Sequence, residues 1–242
     1  MKKFFKELYL RKKSLLLLFL IFILGFLLRA VNLSSFPNGF MSDEVYLGYN
    51  AYSLLKTARD INGHFLPLFL ESFLYTPAGY AYLSIPFIKL FGLSVFSVRF
   101  ASALFGALTI FPFYFLTKSV LNLEKNDFFS KQIIEITALL SAFLLSIIPW
   151  HINLSRTASV STVVTFFISV GVYFFIKWIA SNRISFLFIS FLFFLGSLFF
   201  YIAPYSFLPF LIPFIFILYR KRINLKNKIY FFIIFSIFII PI

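Results

Sequence analysis

Asp43 and Glu44 stand side by side in a chain of 242 residues that carries only 8 Asp and Glu against 22 Lys and Arg. Adjacent positions of a helix point about 100° apart, so two neighbouring carboxylates can do different jobs. One can act as a general base, which must be ionised before it accepts a proton, while the other orients a partner or a cation. A helix amino terminus favours that ionised form. The same placement has a plainer use, because acids in a first turn stabilise the helix dipole by about 0.3 to 1 kcal/mol. In both readings Ser42 caps a helix that begins at Asp43.

The stretch FMSDEVYLGYNAYSLLKTARD and its continuation add Lys56, Arg59, Asp60, His64, Glu71 and Tyr75 to the pair. A second polar stretch, PWHINLSRTAS at 149 to 159, adds His151 and Arg156. A guanidinium offers a fork of donors matched to phosphate, so Arg59 and Arg156 suit a lipid phosphate held at a bilayer surface. Two lone histidines in separate loops do not define a metal site, and both read more naturally as structural or interfacial. With no cysteine in the chain, a disulfide, a thiolate metal site and a cysteine nucleophile are all excluded.

The elements that must position these residues are apolar. Hydrophobic residues make up 61% of the chain, charged residues 12%, and Phe alone contributes 40. Apolar segments fall at about 14 to 31, 77 to 92, 97 to 117, 134 to 150, 158 to 178, 185 to 203, 205 to 219 and 229 to the end. A helix needs roughly 17 to 25 apolar residues to cross a bilayer core. The reading is an all-α, polytopic transmembrane bundle forming one domain over residues 1–242. The first segment is too long, and lacks the small-residue cleavage site, for a removed signal peptide.

The segment at 77 to 92 is short and interrupted by Pro86, and whether it crosses decides the sidedness of everything after it. If it stays on one face, seven spans remain and 16 of the 22 Lys and Arg lie on the amino-terminal side. That side is then cytoplasmic by the positive-inside tendency, and residues 32–76 and 149–159 share the outer face of a cell membrane. Residues 32–76 form the outer catalytic loop in this reading. Leu47, Ala51, Leu54, Leu55 and Ala58 recur at helical spacing, with Asn50, Ser53 and Thr57 opposite, as in a helix lying on the membrane surface. The connector LNLEKNDFFSKQ reads as solvated charge. The net charge of +14 is explained by basic residues at helix ends facing lipid phosphates, so no nucleic-acid partner is inferred.

Taken in order, SDEVYLGYNAYSLLKTARDINGHFLPL, then YTPAGYAYLSIPFIKLFGLSVFSVRFASALFGALTIFPFYFL, then IIPWHINLSRTASVSTVVTFFISVG resembles the amino-terminal half of GT-C type membrane glycosyltransferases. Within that type it resembles the family 39 group, which includes protein mannosyltransferases and is related to lipid A aminoarabinose transferases. The resemblance runs from the first helix to about residue 219. It implies inverting transfer of a sugar from a polyprenyl-phosphate carrier to a lipid, glycan or protein acceptor at the outer face of the membrane. Asp43 would be the catalytic base and Glu44 its supporting acid. Arg156 would anchor the carrier phosphate, with Arg59, Lys56, Tyr75 and His151 as further substrate-binding candidates.

No cofactor follows from the resemblance with certainty, and a divalent cation is compatible with it. Ser159, Val160 and Ser161 stand where relatives often carry an acid after the arginine, and Thr76 where a basic residue is common. Two other classes stay open, a transporter or flippase and an inactive structural subunit. A transport path usually places ionisable residues within the spans, and here the spans from the third onward hold almost none. The closing run IYFFIIFSIFIIPI has 14 residues, which predicts that the chain is the amino-terminal part of a longer transferase.

Overall fold

A computed structural model describes residues 2–71, 75–124 and 130–240, with side chains from residue 12 onward. The helices are α1 (Lys2–Ala30), α2 (Ser42–Thr57), α3 (Gly79–Phe91), α4 (Val95–Leu108), α5 (Ile110–Leu123), α6 (Lys131–Ile147), α7 (Pro149–Ser155), α8 (Val160–Ser181), α9 (Ile184–Leu198), α10 (Ala203–Tyr219) and α11 (Leu225–Ile239). One antiparallel hairpin, β1 (Phe69–Glu71) with β2 (Tyr75–Pro77), interrupts them, Leu70 facing Thr76. Helix is the expected solution for apolar runs, because backbone groups in hydrocarbon must satisfy one another within the segment.

The chain runs back and forth between two ends. At one end Ala158 N–H donates to Glu44 and Gly79 N–H donates to Phe199 O, which gathers α2, the loop before α8 and the turn after α9. At the other, Arg222 donates to Leu123 O and Asn182 donates to Arg222 O, joining the far ends of α5, α8 and α10. Lys177, Arg183, Lys221 and Lys226 belong to this second end. The segment at 77 to 92 becomes α3, which does not traverse the bundle. Tyr80 Oη donates to Val98 O at 2.9 Å and Ser97 Oγ to Gly92 O at 2.7 Å, so both ends of α3 stay beside the start of α4.

Lys12–Ala30, Val95–Leu123, Val160–Ser181 and Ala203–Arg222 are each long and apolar enough to cross a membrane, and α6 with α7 makes a fifth if a 57° bend is allowed. The bend falls at Pro149, which has no N–H to continue the ladder. Seven spans were expected. The segment at 185 to 203 yields α9 of 15 residues, because the turn before Pro204 shortens its helical part, and the segment from 229 falls in α11, which begins at Leu225. At about 1.5 Å per residue α9 covers roughly 22 Å, less than the core of about 30 Å. Residues 125–129 of the connector lie outside the described residues.

The apolar face of α2 also differs from expectation. Leu47, Ala51 and Leu54 are buried with Tyr80, Ala81 and Ile88 of α3 and Val98 of α4, so this face packs on protein and not on lipid. Gly48 makes the approach close: a Cβ there would stand 2.8 Å from Val98 Cγ2.

Candidate active site

Glu44 is buried, and its carboxylate accepts four hydrogen bonds. Arg99 Nε donates to Oε1 and Nη2 to Oε2, both at 2.8 Å, Ala158 N–H donates to Oε1 at 2.8 Å, and Met41 N–H donates to Oε2 at 3.0 Å. The last bond closes the start of α2, so Met41 takes the cap position and Ser42 opens the helix, one residue earlier than expected. Burial alone would raise the Glu44 pKa, but the bonds from Arg99, Met41 and Ala158 outweigh it and hold the pKa below the ordinary value.

Arg99 uses the rest of its fork on carbonyls: Leu33 O at 3.2 Å, Pro37 O at 3.0 Å and Gly39 O at 2.6 Å. Gly39 sits at φ +85°, which a residue without a Cβ adopts readily. One ion pair thereby locks the loop 31–41, the first turn of α2, α4 and the loop before α8. Three separate sequence stretches, SDE, FSVRF and NLSRTAS, meet at it.

Asp43, one residue away, is exposed, and no hydrogen bond or ion pair to another described residue engages its side chain. At 100° per residue it shares a helical stripe with Leu47 and Asn50, both buried. Its carboxylate is therefore on the protein-facing side of α2 but open to solvent, above the end of the bundle and on a backbone that the Glu44 clamp holds still.

Arg156 comes to the same end. Its Nη1 donates to Leu28 O at 2.9 Å and its Nη2 to Val31 O, Asn32 O and Phe36 O at 2.8, 3.3 and 3.2 Å, which caps the carboxyl end of α1. Burial, and then the charge of Arg99, lowers its pKa. The two guanidiniums donate to adjacent carbonyls, Pro37 O and Phe36 O, and among the described residues only Arg99 of the two has a carboxylate partner.

His151 is buried, with its Nδ1 2.9 Å from Arg29 Nη2. A guanidinium can only donate, so Nδ1 accepts and the proton of the neutral ring is on Nε2. Arg29 also donates to Gly25 O, Ser146 O, Leu145 O and Ser155 Oγ. His151 therefore pins α1 to α6 and α7, and its side chain does not line an open surface.

The remaining candidates are elsewhere. Lys56 and Arg59 lie at or beyond the last turn of α2, about 20 Å of helix from Asp43 at 1.5 Å per residue. Arg59 Nη1 donates to Gly63 O at 2.6 Å, and Lys56 stands over the Tyr52 ring. Tyr75 is an exposed residue of β2 whose hydroxyl is 3.5 Å from Glu71 Oε1. The structure joins Glu44 and Arg156 in one cluster beside Asp43, but leaves Lys56, Arg59 and Tyr75 outside it. Among the described residues no three His, Asp or Glu side chains stand together as a candidate metal site.

Arg99 and Arg29 were not singled out in the sequence. The signal was available, because a charge inside an otherwise apolar helix run marks a functional or paired position. Both stand in stretches whose apolar pattern dominates. No curated protein sequence matches the chain. The family model described as dolichyl-phosphate-mannose-protein mannosyltransferase matches residues 76–242, which takes in Arg99, His151 and Arg156 and leaves α2 outside. A multi-pass helical chain matched over most of its length in this way belongs to that family, and is a membrane glycosyltransferase of the mannosyltransferase type.

Proposed function

We propose that the chain transfers a sugar from a polyprenyl-phosphate carrier to an acceptor hydroxyl, on a lipid, a glycan or a protein, with Asp43 as the general base. The division of labour between two adjacent acids carries this reading. Glu44 has every acceptor position engaged, while Asp43 is exposed in the first turn of α2 and no hydrogen bond from another described residue engages its side chain. A carboxylate kept for the helix dipole alone would not need so rigid a support.

In the step itself Asp43 takes the hydroxyl proton of the acceptor as the oxygen attacks the anomeric carbon. The carbon–oxygen bond to the carrier phosphate breaks, and the phosphate leaves with the bonding pair. Attack from the opposite face inverts the anomeric carbon. Charge grows on the departing phosphate, and in this reading Arg156, which has no carboxylate partner among the described residues, stabilises it. Glu44 acts through position, by fixing the turn that bears Asp43. The basic residues at the opposite end of the bundle support a cytoplasmic amino terminus and an outward-facing site.

The test is Asp43→Asn in the full chain reconstituted in liposomes with a polyprenyl-phosphate sugar. Sugar transfer, thermal unfolding and carrier binding are measured together. Transfer at close to the parent rate would overturn the assignment of the base.

A further inference from the structure

The loop between α2 and α3 buries its Asp60 carboxylate and exposes its large apolar side chains, alongside the exposed Asn62 and His64. Asp60 is 3% exposed, and its carboxylate accepts Asn62 N–H at 3.0 Å, His64 N–H at 2.8 Å and the His64 ring nitrogen Nδ1 at 3.1 Å. Backbone groups of the same loop are paired internally or with its neighbours. Ile61 N–H donates to Asn50 Oδ1, Leu66 N–H to Ala58 O, Ala78 N–H to Leu68 O, and Tyr82 Oη to Pro67 O. The large apolar side chains point out: Phe65 is 64% exposed and Leu68 66%, with Ile61, Leu66 and Phe69 also exposed. Leu66 is held at φ +42°, where an L side chain is strained, so this outward display is imposed at some cost. A loop in water shows the opposite arrangement. Backbone satisfied within, apolar side chains without, is what a segment needs where water is scarce.

A second observation is the surface that the loop adjoins. Leu68, Phe69 and Pro77 line one apolar hollow of about 180 Å³ together with Leu195, Leu198 and Phe199 from the end of α9. Leu195 is itself exposed on the outer side of the bundle. The hairpin is therefore continuous with the apolar flank of α9 and α10, at the level where α9 ends. Lys56 and Arg59 stand at the base of the loop, with the Arg59 guanidinium 5.9 Å from the Phe65 ring, an arrangement suited to phosphate headgroups above apolar chains.

We infer that residues 61–69 form a lip seated in the headgroup region of the bilayer, with Phe65 and Leu68 in contact with lipid. The lip takes over the membrane contact that the amphipathic pattern suggested for α2, whose apolar face is used by α3 and α4. It anchors the far end of α2 while the Glu44 clamp anchors the near end, so the helix that bears Asp43 is fixed at both ends relative to the membrane.

The chain has no cysteine, so single cysteines at Phe65, Leu68 and Tyr49 report independently. Each variant of the full chain is labelled with an environment-sensitive NBD fluorophore and reconstituted in phosphatidylcholine and phosphatidylglycerol vesicles. Blue-shifted emission is expected at 65 and 68, with quenching by lipids that carry a nitroxide near the headgroup. At Tyr49, on the exposed side of α2, neither is expected. Emission at 65 and 68 that stays unshifted would overturn the lip. Blue-shifted emission without lipid quenching would also overturn it, by showing that protein covers the loop. Equal quenching at all three positions would assign lipid contact to the whole outer loop and overturn it too. Cysteine at Ile61 replaces either loop position if that variant unfolds.

Discussion

Arg99 and Glu44 meet through two parallel hydrogen bonds of 2.8 Å, with side chains only 1% and 3% exposed. A bidentate pair of this kind fixes direction as well as distance. Its net contribution to stability is modest because both charges were taken from water, but removing one partner leaves the other buried and unpaired. The pair binds α4 to the first turn of α2, and so couples the stability of the fold to the placement of Asp43.

Glu44→Ala is therefore expected to cost about 3–5 kcal/mol, read as a fall in thermal stability of the protein in detergent. Stability should also depend on acid. The folded pKa of Glu44 is depressed below 4.5, so its contribution is fully present above that pH and is lost as pH falls through the lowered folded value. Glu44→Gln should flatten this part of the stability profile between the two pKa values.

Asp43→Asn should behave in the opposite way. Stability should change by about 1 kcal/mol or less, the scale of a helix-dipole contact. Sugar transfer should fall by roughly 10² to 10⁴, the usual contribution of a general base. Comparison with Glu44→Gln separates a group that reacts from one that positions, because only the latter shifts the unfolding temperature by more than a helix-dipole contact would.

Arg156→Ala should lose both functions assigned to the guanidinium. Its hydrogen bonds to four carbonyls predict a loss of about 1–3 kcal/mol on truncation. Carrier binding should weaken in the same variant. Arg156→Lys keeps the charge but not the fork, so it should restore carrier binding more fully than it restores the unfolding temperature.

Gly106→Ala tests the packing beneath the site. A Cβ at Gly106 would run into Ser155 Oγ and lie 2.7 Å from Ser155 Cβ and 3.0 Å from Thr162 Cγ2. Small residues let membrane helices approach closely, and α4 would have to move away from α7. Overpacking of this sort predicts a loss of about 1–3 kcal/mol, measured by thermal unfolding, with a disturbed Arg29–Ser155 contact.

Much of the architecture was legible in the sequence because one physical requirement dominates it. Apolar runs of membrane-crossing length must be helical, so the all-helical, multi-pass fold follows from composition alone. Pro86 and the shortness of its segment correctly marked α3 as an element that stays at one end. The acid pair, too, stood out because carboxylates are so few. Segment lengths were less legible, because hydropathy does not register a turn made of apolar residues, such as Phe199 to Ile202 between α9 and α10.

What only the tertiary structure decided was the fate of each charge. In the sequence Asp43 and Glu44 are equivalent neighbours; in three dimensions Glu44 is closed off by Arg99, Ala158 and Met41 while Asp43 stays open. The partner of Glu44 is 55 residues away, and its second donor 114 away. The same holds for α2, whose apolar stripe could have faced lipid or protein with an identical pattern. Periodicity shows that a face is apolar, but which surface covers it depends on contacts between distant segments, and those are set by packing of the whole bundle.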